Sequence, residues 1–108
     1  MRIGISIATM QLTRDHREGA RNIVERAARA RDAGLDSLFV GDHHVTAVPY
    51  YQNSPVIGRI LAEWDRRDCG ALYLLPLWNP VLVAEQTATL ACIAQGRFIL
   101  QCALGGER

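Results

Sequence analysis

The strongest constraint on this chain is a regular alternation of strand and helix signals. Apolar, β-branched or aromatic segments at residues 2–8, 36–41, 71–75 and 98–104 start near positions 2, 36, 70 and 97. A stretch of helical spacing separates each from the next. Strands joined by single helices must run parallel, and such crossovers are right-handed in nearly every case. The order is therefore β-α-β-α-β-α-β, an α/β chain of one domain at most. The period suits a (β/α) barrel or a doubly wound sheet and does not choose between them.

The helices carry their own punctuation. Residues 17–33 place Ala20, Ile23, Val24, Ala27 and Ala30 on one face and Arg21, Glu25, Arg29 and Asp32 on the other. Gly34 supplies the stop. Ser54-Pro55 reads as a capping hydroxyl followed by a first-turn proline, opening a stripe of Val56, Ile57, Ile60, Leu61 and Trp64. Asn79-Pro80 repeats the device. The helix over residues 80–95 is expected to bury Ala84, Thr87, Ala88 and Ala91, with Ile93 at its margin, before Gly96 ends it.

Charge and cysteine usage remove several functions. Formal net charge is +1, which gives no case for nucleic acid or an anionic membrane. All the basic residues are arginine, so neither a Schiff-base lysine nor a P-loop lysine exists in this chain. Cys69, Cys92 and Cys102 form no C-x-x-C pair and read as free thiols of a reducing cytosol. The apolar run at residues 70–78 is far below the ~20 residues of a membrane helix. A soluble, cytoplasmic protein is expected. A dinucleotide fold would want G-x-G-x-x-G after the first strand, whereas Ile7-Ala8-Thr9-Met10-Gln11 has no glycine.

The second strand runs straight into chemistry: Phe39-Val40-Gly41-Asp42-His43-His44. In parallel β/α proteins, ligands bind beyond the carboxyl ends of strands. An imidazole there gives or takes a proton near neutrality. Asp42 alternates to the opposite face from His43, where it could orient an imidazole or accept from a ligand. His44 is expected to be structural. Metal is not expected, because adjacent residues on an extended chain diverge and no H-x-H or H-E-x-x-H spacing is present.

Four segments in order resemble the luciferase-like flavin-dependent oxidoreductases, the family that includes deazaflavin-dependent reductases. They are residues 34–40 leading into Asp42-His43-His44, Asn53-Ser54-Pro55, residues 75–81 followed by Ala84-Glu85-Gln86, and Gly96-Arg97-Phe98. The resemblance implies a (β/α)₈ TIM barrel, of which residues 1–108 are the N-terminal half, with the C-terminal half absent. It implies a flavin- or deazaflavin-dependent oxidoreductase or monooxygenase, with FMN or the deazaflavin coenzyme as cofactor and a small-molecule substrate. By the same resemblance His43 is the catalytic imidazole. Asp42, Ala71, Leu72, Tyr73 and Gly105 are cofactor-binding, and a non-proline cis peptide at Ala71-Leu72 backs the ring. Leu104 stands where luciferase-type relatives carry an arginine. Trp78 lies on the rim as a candidate contact. The alternative is a non-catalytic flavin-binding or interaction half-barrel. The outer edges at residues 3–7 and 98–104 are expected to be open to self-association.

Overall fold

The computed structural model describes residues 1–106. In chain order the elements are β1 (Gly4–Ile7), α1 (His16–Asp32), β2 (Ser37–Val40), α2 (Asn53–Ile60), β3 (Asp68–Leu74), a 3₁₀ turn (Leu75–Leu77), α3 (Pro80–Ile93) and β4 (Phe98–Ala103). The four strands form one parallel sheet in the order β1-β2-β3-β4. That order settles the choice left open by the period. A doubly wound sheet reverses direction and puts its first strand inside. Here each crossover steps the same way, so all three helices fall on one side, α1 against α2 and α2 against α3. This is four strands of a (β/α) barrel.

The core lies between sheet and helices. Ile7, Leu38, Val40, Cys69, Ala71 and Tyr73 point toward the helical layer and meet Ile23, Ala27, Ile57, Ile60, Trp64, Val83 and Leu90, all buried. The opposite face of the sheet is half-open. There the Phe39 ring lies over Gly70, where a Cβ would sit 2.9 Å from Phe39 Cε1 and 2.1 Å from the Ile99 carbonyl oxygen. Only glycine admits both neighbours.

Local signals explain most element ends. Asp15 caps α1 by accepting from the N–H groups of Arg17 and Glu18, and Gly34 ends it in the left-handed region at φ 81°. Asn79 caps α3 by accepting from Val81 and Leu82 N–H, with Pro80 in the first turn.

Three expectations are corrected. Ser54 does not cap α2. The helix starts at Asn53 after Gln52, with no side-chain cap, and the Ser54 hydroxyl instead meets Tyr73 Oη at 2.8 Å. Strand β3 begins at Asp68, not Ala71, because Asp68 pairs with Ser37 and its carboxylate is held by Arg2 and Arg97. Helix α3 buries Val83 and Leu90, whereas Ala84, Ala88, Ala91 and Ile93 are exposed. This helix is apolar nearly all round, so periodicity could not single out its inner face.

Candidate active site at the carboxyl end of the sheet

Strand β2 ends at Val40, and the next residues diverge. Asp42 turns inward and is 3% exposed. Its Oδ2 accepts from the Leu74 N–H at 2.9 Å and from Trp78 Nε1–H at 2.7 Å. Its Oδ1 lies 2.7 Å from His44 Nε2. That last approach is close but not aligned as a hydrogen bond, so it is an ion-pair contact when His44 is charged. The His44 ring also meets Trp78 edge-on, centroids 5.7 Å apart. One carboxylate thus ties the end of β2 to the end of β3 and to the loop before α3. Hydrogen bonds to a buried charged acceptor are worth about 1.5–3 kcal/mol each.

His43 goes the other way and is exposed. Its ring stacks on Tyr50 with centroids 4.1 Å apart and planes at 26°. A Cβ on Gly41 would lie 3.0 Å from His43 Nε2. The Nε2 edge therefore lies against Gly41, just past the carboxyl end of β2. A hollow of about 300 Å³ beside it is lined by His43, Thr46, Pro49, Tyr50 and Gln52 among others. A larger hollow of about 530 Å³ opens between α2 and α3, on the far side of Trp78, and includes neither His43 nor Asp42. Size does not make it the reactive site.

The loop after β2 is pinned. Gln11 N–H donates to Pro49 O and Tyr51 N–H to Thr9 O, both at 2.9 Å, flanking an antiparallel bridge of Met10 with Tyr50. Tyr51 Oη donates to His16 O at 2.7 Å. Between the histidines and this clasp, Val45 sits in the left-handed region at φ 49°. A β-branched residue there carries backbone strain, a feature that gathers at functional loops.

The third strand departs from what the resemblance implied. No cis peptide bond occurs among the described residues. Six consecutive pairs from Cys69↔Phe98 to Leu74↔Ala103 run without a bulge. The side chains of Ala71 and Tyr73 are both 0% exposed on the helical side. Burial holds the Tyr73 hydroxyl above its ordinary range, with the Asp42 charge adding to this against the Ser54 hydrogen bond. Of the residues named on the resemblance, the side chains of Asp42, Ala71 and Tyr73 are sealed. Those of His43 and Leu72, and the exposed Gly105 at φ 90°, remain open. Leu72 O accepts from Asn53 Nδ2 at 2.6 Å, which locks β3 to the start of α2.

The residues local reasoning missed are Tyr50 and the Trp78–Asp42 pair. Trp78 had the right place, on the loop after β3, but its indole N–H faces inward to Asp42 rather than outward to a ligand.

A parallel half-open sheet with an imidazole at its carboxyl mouth is the arrangement of a (β/α) barrel, and comparison with known proteins fixes the family. The luciferase-like monooxygenase family matches residues 1–108, so the chain belongs to that family. An F420-dependent glucose-6-phosphate dehydrogenase of Amycolatopsis mediterranei (strain U-32) is 32% identical over 88 residues, 76% of this chain and 26% of that protein. One of Kribbella flavida (strain DSM 17836 / JCM 10339 / NBRC 14399) is 31% identical over 93 residues, 81% of this chain and 28% of that protein. Among solved structures, an F420-dependent secondary alcohol dehydrogenase in complex with an F420-acetone adduct superposes with TM-score 0.78 at 25% identity, covering 96% of this chain and 32% of that one. The oxygenating constituent of 3,6-diketocamphane monooxygenase from Pseudomonas putida, in complex with FMN, gives TM-score 0.83 at 21% identity, covering 99% and 30%, and shows the shared fold. The chain spans about a quarter to a third of the length of these relatives.

Proposed function

We propose that this chain forms the acid–base side of a flavin-type oxidoreductase site, with the deazaflavin F420 favoured over FMN as cofactor. The observation that carries the reading is His43. It is the exposed imidazole at the carboxyl end of β2, with Nε2 against the bare Gly41, while His44 is occupied by Asp42. The relatives that share about 30% identity are named for F420, which supports the deazaflavin.

The described residues fit a planar ring. Gly41, Leu72, Leu74 and Gly105 leave the mouth apolar and low, and a Cβ on Gly105 would meet Leu74 Cδ1 at an ordinary 3.9 Å. The backbone of Ala71 and Tyr73, rather than their side chains, borders that surface. The loops after the four strands carry one arginine, Arg14, and no lysine among the described residues. Groups for a phosphate tail would come from elsewhere. When bound, the cofactor supplies hydride transfer. His43 Nε2 takes the hydroxyl proton of a small alcohol substrate, or returns it to a carbonyl in reverse. Asp42 keeps Trp78, Leu74 and His44 in place and does not touch the substrate. Three free cysteines suit a reducing cytoplasm, and no helix among the described residues is long and apolar enough to cross a membrane.

Titration with oxidised and reduced F420 and FMN, followed by cofactor absorbance and fluorescence, tests this. F420 is expected to bind more tightly than FMN. Tighter FMN binding reverses the cofactor assignment, and binding of neither leaves the chain as the non-catalytic half-barrel.

A further inference from the structure

Resting on the reading of His43 above, we propose that Tyr50 is the positioning residue that sets the plane of the His43 imidazole and so the direction of its Nε2. Nothing about Tyr50 stood out in its local sequence. Three independent features of the structure converge on it.

The first is the stack itself. Centroids 4.1 Å apart with planes at 26° put the Tyr50 ring flat on one face of the imidazole. A lone exposed histidine would rotate freely about its two side-chain torsions; a ring against one face removes most of that freedom. The second is how Tyr50 is delivered. Its backbone bridges to Met10, and the bonds from Gln11 and Tyr51 on either side fix it to the segment after β1. The Tyr50 backbone is therefore fixed, and its ring meets the imidazole from an anchored position. The third is Gly41. A Cβ there would lie 3.0 Å from His43 Nε2, so the missing side chain leaves that edge of the imidazole its room. Tyr50 pushes from one side, Gly41 yields room on the other, and Nε2 is left just past the carboxyl end of β2. Holding a proton-transfer atom in place ahead of the reaction is worth orders of magnitude in rate.

The geometry makes a distinction that mere structural support would not. Stacking needs an aromatic plane but not a hydroxyl. Tyr50→Phe keeps the plane; Tyr50→Leu keeps bulk and backbone and loses it. The test is proton–carbon NMR of the histidine ring signals in the 108-residue chain without cofactor, with His43 assigned by His43→Gln. The His43 ring protons are expected upfield in the parent, unchanged in Tyr50→Phe, and returned to the random-coil position in Tyr50→Leu, while His16 and His44 signals and backbone dispersion stay put. His43 signals that ignore Tyr50→Leu, or that Tyr50→Phe fails to restore, overturn the inference. A second arm measures cofactor affinity of the same variants. Tyr50→Leu is expected to bind F420 within about twofold of the parent, and in any assay of turnover to lower kcat at least about tenfold with little change in KM. If the ring signals respond as expected and no cofactor binds, the oxidoreductase reading fails while the positioning of His43 by Tyr50 stands. If cofactor binds and the ring signals do not respond, the reverse holds.

Discussion

The two ends of the sheet are built from different materials. At the amino end, Asp68 accepts from Arg2 at 3.1 Å and from Arg97 at 2.7 Å, bridging the entries to β1 and β4. The Arg67 guanidinium donates to the carbonyls of Arg31 and Leu35, both at 2.8 Å, and Arg31 donates to Glu63 O at 2.6 Å. At the carboxyl end, the one buried carboxylate among the described residues is Asp42, and exposed apolar side chains crown every loop: Leu12, Val45, Val48, Leu75, Leu77 and Leu104. Barrel enzymes divide labour this way, with stability at the bottom face and chemistry at the top. Here the division shows in what each end tolerates. The bottom is close-packed backbone; the top is side chains with room to move.

Glycine-to-alanine changes at the two ends expose this difference. A Cβ on Gly96 would fall 2.3 Å from Arg67 O and 2.4 Å from Arg66 O, both backbone atoms that cannot step aside. Gly96→Ala is expected to cost about 3 kcal/mol of stability or more, read as a lowered midpoint in chemical denaturation. A Cβ on Gly41 meets only the far edge of the His43 ring, which can swing. Gly41→Ala is expected to cost under about 1 kcal/mol while displacing the His43 signals. Equal losses at the two positions would remove the contrast between a rigid bottom and an adaptable rim.

Beside the clasp that holds Tyr50, the rim has a second fixed point in Asp42. Asp42→Ala leaves Trp78 Nε1–H and the Leu74 N–H without their acceptor in a buried place. About 2–3 kcal/mol is expected to be lost, since each orphaned donor keeps its desolvation cost. Trp78 should also become more solvent-exposed, shifting its fluorescence to the red in a Trp64→Phe background. An unchanged midpoint would mean that water satisfies both donors and that Asp42 does not anchor the rim.

The amino acid sequence carried the architecture because most elements bear strong local signals of their own. Asp15 and Asn79 cap where caps were needed, Gly34 stops where a positive φ was needed, and the strand at 37–40 has no other use for Leu38 and Val40 than a buried sheet. The position of His43 at a strand end was legible for the same reason. Its environment was not. Trp78 reaches Asp42 across 36 residues, and Tyr50 reaches His43 through a clasp to Met10 that no periodicity announces. The start of β3 was obscured because Asp68 and Gly70 look like loop residues. Asp68 is in a strand because its charge is paired at the bottom, and Gly70 because Phe39 needs the space. The order of the sheet needed coordinates, since the same alternation of strands and helices also serves a doubly wound fold.

The ionic bottom face also makes a statement about acid. The hydrogen bond from the Arg97 guanidinium holds the Asp68 carboxyl below its ordinary value of 3.8, against a smaller opposing effect of burial, with the Arg97 and Arg2 charges assisting. A carboxyl that is more acidic folded than unfolded binds fewer protons in the native state, so it stabilises the fold above its unfolded value. That contribution is fully present well above the unfolded value and drains away as pH falls through the lower folded value. Asp68→Asn removes the charge and keeps the shape. The parent is expected to have the higher Tm at neutral pH, with the two curves converging in acid once the pH is below the lowered folded value. Added salt should narrow the gap at neutral pH, because these side chains are partly exposed and screening reaches them. The rim predicts no such convergence for Tyr50→Leu, whose effect is one of packing. A Tm difference for Asp68→Asn that stays constant into strong acid would show that the Asp68 site stabilises by shape and hydrogen bonding alone, and the bottom face would then differ from the rim in packing density rather than in charge.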